Sequence, residues 1–151
     1  MSKKLAVSGN VEINASAAVV WDALVNPAKT KQYMHGCECI TNWEVGSSLI
    51  WRGEHEGKKM DFVTGIVKAF VPNEKMVFTT FDPFATYPDV PENHLDVTYT
   101  LSEADGKTNL HVVQDGFEGA AEGEKRYKDI LGDGQGWDPV LAQIKAVVEK
   151  G

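Results

Sequence analysis

The chain has 151 residues, of which 42% are hydrophobic, 25% charged and 9% aromatic. That suits one domain, residues 1–151, with its own core, and excludes a disordered chain, a solenoid or a disulfide-stapled miniprotein. Twenty-two Asp and Glu against fifteen Lys and Arg give a net charge of −7, which repels phosphate backbones and anionic bilayers, so nucleic acid is not an expected partner.

Leu5, Val7, Val11 and Ile13 alternate with Ala6, Ser8, Asn10 and Glu12, the period of a half-buried strand, and Gly9 leaves room for a bend. The same polar residues break the apolar run that a secretory signal requires, and no window approaches the roughly 18 apolar residues of a membrane span. A cytoplasmic location without membrane insertion is expected. Ser16 is placed to cap a helix carrying Val20, Trp21 and Leu24, Asn26-Pro27 stops it, and Pro27 suits the first turn of a second short helix reaching Met34.

His35-Gly36-Cys37-Glu38-Cys39 looks like part of a metal site, but zinc needs further ligands and the sequence has no second Cys pair or His pair. Residues two apart on a strand lie roughly 6.5 to 7 Å from each other, too far for an easy disulfide between Cys37 and Cys39. Reduced thiols, no metal and no cofactor are expected.

From Cys37 to Phe117 the chain reads as an antiparallel meander over 38–43, 49–55, 59–70, 75–81, 94–101 and 108–115, with turn residues at 56–58, 72–74 and 105–107. Residues 82–93 break the pattern. Pro83, Pro88 and Pro91 prevent both strand pairing and helix, and Phe84 and Tyr87 between them suit a semi-rigid lid over an apolar opening; the alternative is a loop fixed on the sheet edge. After Phe117 a weak helical stretch covers 120–131, with the charges from Glu118 to Asp129 on a solvated face. Trp137, Val140, Leu141, Ile144, Val147 and Val148 then form one apolar helical stripe, and Pro139 requires a start either at Asp138 or near Asp133.

The order is strand, two short helices, six strands, helix: an α+β layer in which a curved seven-stranded antiparallel sheet wraps a long C-terminal helix. A twisted sheet and a straight helix cannot stay in contact along their whole lengths, so a cavity between them is expected. Strand parity places Trp51, Phe62, Phe78 and Tyr99 around it, with Trp137 and Leu141 from the helix; Thr80 and Gln114 add polar groups on inner positions. The apolar ones serve equally as ordinary core, and the alternative for Gln114 is a bond to backbone at the strand end. Among the histidines, His55 and His111 face solvent by position, while His94 after the proline-rich loop could reach a cavity mouth with Asp96 or Asp61 as partner. No triad or paired carboxylates are identifiable by spacing, so no catalytic residue is assigned.

The chain also resembles a known family, the START-like helix-grip (SRPBCC) superfamily, in its bacterial branch similar to the activator of the heat-shock-protein-90 ATPase. The resemblance rests on the order of Ile13–Pro27, Trp43-Glu44-Val45-Gly46, Val71–Thr79, Pro91-Glu92-Asn93-His94, Val97–Leu101, Gln114-Asp115 and Gly136-Trp137. It departs at Thr80, where many relatives carry tryptophan, and at Gly132–Gly136, where three glycines interrupt a helix that relatives often continue. The resemblance implies a helix-grip fold with an apolar cavity, but no universal catalytic residue. The leading expectation is a domain that binds a hydrophobic or amphipathic small molecule. A chaperone-interacting protein and a cyclase- or dehydratase-like enzyme on an aromatic or polyketide-like substrate are the alternatives.

Overall fold

The turns at 56–57 and 105–106 have positive φ at both residues, the hairpin geometry whose twist matches the flanking strands. They join β3 (Ser48–His55) to β4 (Lys58–Val71) and β6 (Leu95–Ala104) to β7 (Lys107–Asp115), with β5 (Lys75–Thr80) between β4 and β6. Ahead of these come β1 (Ala6–Ile13), α1 (Ala17–Val25), α2 (Pro27–Tyr33) and β2 (Glu38–Ile40); α3 (Gly123–Leu131) and α4 (Asp138–Lys150) follow. This is a computed structural model, and it describes residues 5–34, 36–132 and 136–150. The strands form one seven-stranded sheet in the order β1-β7-β6-β5-β4-β3-β2, with every neighbouring pair antiparallel.

Local chemistry explains the helix boundaries. Ser16 Oγ accepts the Val19 N–H at the start of α1, and Asn26 Oδ1 accepts the Ala28 N–H where Pro27 opens α2. Irregularities at Trp51/Arg52 and Val67/Ala69 bend the sheet. Near the second, Gly65 is so close to β5 that a Cβ there would lie 1.8 Å from the Thr79 carbonyl oxygen, and Thr79 Oγ1 accepts the Ile66 N–H.

The inner sheet face buries Val97, Tyr99, Leu110 and Val112 in one cluster with Leu141, Ile144 and Val148 of α4. Each such side chain contributes about 1.5–3 kcal/mol by leaving water. Helix α4 approaches β1 closely at Gly9, where a Cβ would meet Leu141 Cδ1 and Asp138 Oδ1 at 3.0 Å. A second cluster of Val7, Leu95 and Phe117 is covered by Tyr127, Ile130 and Leu131 of α3, and Trp137 packs against both clusters.

Several boundaries differ from the sequence reading. β2 ends at Ile40, not Trp43, because the chain leaves the ladder there; Trp43 takes φ 58° and stacks on Phe70 at 5.4 Å. His94 precedes β6, capping a 3-10 turn over Pro91–Asn93. Helix α3 begins at Gly123, after another short turn at Phe117–Gly119. Of the two starts considered for the last helix, Asp138 is observed; Asp133 and the His35 part of the possible metal motif lie outside the described residues.

Candidate functional site

A cavity of about 620 Å³ opens where the strands run beyond the reach of α4. The sheet contributes Trp51 from β3, Phe62 from β4, Phe78 and Thr80 from β5, Leu95 from β6 and Gln114 from β7. Met34 and Cys37 line it between α2 and β2, Arg126, Asp129 and Ile130 from α3, Phe81, Asp82 and Tyr87 after β5, and Trp137 ahead of α4. Six lining residues are aromatic, which gives the wall a broad apolar and polarisable surface.

One polar chain crosses this wall. Trp137 Nε1–H donates to Gln114 Oε1 at 2.9 Å, Gln114 Nε2 donates to Thr80 Oγ1 at 3.4 Å, and the Thr80 hydroxyl donates to the Leu95 carbonyl at 3.4 Å. The two 3.4 Å contacts are long and correspondingly weak. An amide NH2 has two N–H groups, so Gln114 retains donor capacity toward the cavity. The arrangement can orient a carbonyl, ether or hydroxyl oxygen.

Six of the eight residues expected around a cavity from sequence therefore lie on this wall: Trp51, Phe62, Phe78, Thr80, Gln114 and Trp137. Tyr99 and Leu141 do not. Tyr99 lies behind Phe78 and Trp137, with each ring centroid 6.0 Å from its own, and Leu141 packs in the core against β1. The cavity lies toward the strand ends, while both residues are deeper, where α4 fills the hollow. Burial raises the Tyr99 phenol above its usual range, and a nearby Cys39 charge would act in the same direction. Tyr33 is raised well above the phenol range by burial first, then by Tyr99 and Cys39; its hydroxyl donates to the Ala23 carbonyl.

The proline-rich segment divides its two aromatic residues. Tyr87 lines the cavity, meets Phe81 edge-on at 5.6 Å and lies under the Arg126 guanidinium at 4.8 Å, whereas Phe84 is 60% exposed and off the wall. Arg126 is the exception to the reading of the charges from Glu118 to Asp129 as a solvated face. Its Nη1 donates to the Asn93 carbonyl at 2.8 Å and the Ala121 carbonyl at 3.3 Å, while Glu124, Lys125 and Lys128 stay exposed. Arg126 and Ile130 are four residues apart and share one helix face. That spacing was the available signal for α3 as a cavity wall, hidden among the surrounding charges.

His94 is not on the cavity wall. Its Nδ1 pairs with Thr79 Oγ1 at 2.7 Å, its Nε2 with Asp89, and its ring stacks on Phe81. The expected partners are engaged elsewhere: Asp96 with Lys68 and Asp61 with Arg52. This arrangement ties 82–93 to the sheet. His55 and His111 are exposed.

Both cysteines are free and buried. Cys37 is on the cavity wall and Cys39 in the core, where burial pushes its thiol up to about 12; Cys37 is raised by the same cause. Among the described residues no group of three or more His, Cys, Asp or Glu could hold a metal ion, and no helix is long and apolar enough to cross a membrane.

Residues 14–149 match the model of the family described as Activator of Hsp90 ATPase homolog 1-like protein. No curated protein matches the sequence significantly. A solved protein from Cytophaga hutchinsonii is 31% identical, with 99% of this chain and 97% of that one covered at a TM-score of 0.74. The Aha1 dimer from Colwellia psychrerythraea is 14% identical, with 96% of each chain covered and a TM-score of 0.67. DynU16, a protein of the dynemicin biosynthetic locus, is 17% identical at a TM-score of 0.71, with 99% of this chain and 49% of that one covered. The last two share the fold with this chain.

Proposed function

This chain belongs to the Activator of Hsp90 ATPase homolog 1-like family, and on that premise we propose that it is a binding domain holding a hydrophobic or amphipathic small molecule in the cavity at the open end of its sheet. The observation that carries this reading is the cavity itself, about 620 Å³ with six aromatic side chains on its wall. Small-molecule sites have this size and lining, with a few polar groups to fix orientation. Apolar burial at roughly 25 cal/mol per Å² would drive binding, less the cost of ordering the ligand. The Trp137–Gln114–Thr80 chain would orient a polar oxygen, and Tyr87 would cover the opening as part of the 82–93 segment.

The test uses the purified chain. Organic extraction followed by mass spectrometry reports any co-purified occupant, and titration with the neutral fluorophore N-phenyl-1-naphthylamine reports the cavity directly. Saturable, one-to-one fluorescence enhancement, with quenching of tryptophan emission, is expected. Thr80→Trp, which puts a large ring on the wall, should weaken that binding. A titration with no saturable component would overturn the proposal.

A further inference from the structure

The cavity makes the site; its rim sets the charge of what fits. Among the described lining residues, Glu54, Asp82 and Asp129 stand around it with a single cation, Arg126. Its Nη1 is held by the Asn93 and Ala121 carbonyls and the group lies over the Tyr87 ring, neutral partners that fix its position and leave its charge in place. Lys125 reaches Asp129 at 3.5 Å, but both side chains are largely exposed, so the pair only weakly offsets that carboxylate. Asp82 accepts the Phe84 N–H and is an exposed residue of the cavity lining. Three carboxylates against one guanidinium leave the described lining residues net negative, so a bound carboxylate or sulfate would meet more like charge than opposite.

The wall adds an independent preference. Aromatic rings present a negative quadrupole face to a cation, worth about 0.5–2 kcal/mol per well-placed contact. An apolar body carrying an ammonium group would meet aromatic rings inside and carboxylates at the mouth. The net charge of −7 raises the local concentration of cations around the whole molecule.

Building on the binding role above, we propose that the cavity selects organic cations, an aromatic or aliphatic body with an ammonium-type head, and discriminates against fatty acids and other organic anions. The experiment displaces N-phenyl-1-naphthylamine with three ligands of one shape: 1-naphthylmethylammonium, 1-naphthalenemethanol and 1-naphthoate. The ammonium is expected to bind about tenfold more tightly than the carboxylate at low ionic strength, with the ratio shrinking in 0.5 M salt. The triple variant Glu54→Gln, Asp82→Asn, Asp129→Asn should bring the ratio within about twofold. Removing three carboxylates at the opposite end of the sheet, by Glu12→Gln, Glu74→Gln and Asp105→Asn, should leave most of it. A carboxylate that binds as well as the ammonium, or a distal triple variant that abolishes the preference as fully as the rim variant, overturns the inference. If the neutral fluorophore binds but the charge series is flat, the rim argument alone fails; if it does not bind, the cavity reading fails and takes the inference with it.

Discussion

Tyr99→Phe should stabilise this protein, although it deletes a polar group from a crowded core. Tyr99 is 2% exposed, and its hydroxyl has no hydrogen-bond partner among the described residues. A buried hydroxyl without a partner costs about 1–3 kcal/mol, and phenylalanine keeps the ring contacts with Phe78 and Trp137 while removing that cost. A gain of about 1–2 kcal/mol is expected, which for a chain of this size raises Tm by roughly 2–8 °C. Urea denaturation followed by tryptophan fluorescence measures it, with an unchanged m value showing that only stability moved. The alkaline limb gives a second readout. Because burial raises the folded-state pKa of Tyr99 above that of the unfolded chain, the unfolded chain loses this proton first, and stability falls as pH rises beyond the ordinary phenol pKa of 10. The advantage of Tyr99→Phe should therefore widen above pH 10. A loss of about 0.5 kcal/mol or more at neutral pH, with m unchanged, would refute the reasoning, since it would require a favourable bond to that hydroxyl.

Gly65→Ala should cost more than about 3 kcal/mol or prevent folding, because its Cβ would overlap a backbone oxygen that cannot move aside; a wild-type melting temperature by circular dichroism would show that the close approach is not required. Iodoacetamide at pH 8 should modify Cys37 before Cys39, whose buried thiol is held protonated up to about 12, and saturating N-phenyl-1-naphthylamine should slow the Cys37 reaction. Peptide mapping distinguishes the two sites, and equal rates would contradict the assignment of one thiol to the wall and the other to the core.

The sheet was legible in the sequence because its strands carry a period of two and its hairpins carry turn residues that fix which strands are neighbours. Parity alone placed Trp51, Phe62, Phe78 and Thr80 on the cavity side. It could not say how far along the sheet the filling helix extends, and for that reason Tyr99 and Leu141 are packed in the core while Leu95, one strand end away, lines the opening. Arg126 was obscured for a different reason. A guanidinium beside Lys125 and Lys128 reads as surface charge, and its inward turn depends on the Asn93 carbonyl, a residue 33 positions away. His94 shows the same limit, since the carboxylate it meets, Asp89, belongs to an irregular segment with no period to read.

Asn93 has a consequence for kinetics. Its side chain binds the Pro88 carbonyl and the Ala121 N–H, and its own carbonyl binds Arg126, which in turn covers Tyr87. The proline-rich segment and the third helix are therefore knotted together at one residue, and neither can swing aside without releasing the other. If the cavity holds a ligand as proposed, breaking these contacts at Asn93 would be part of any opening on this side, and substitution there would act on exchange rate separately from the residues that line the cavity.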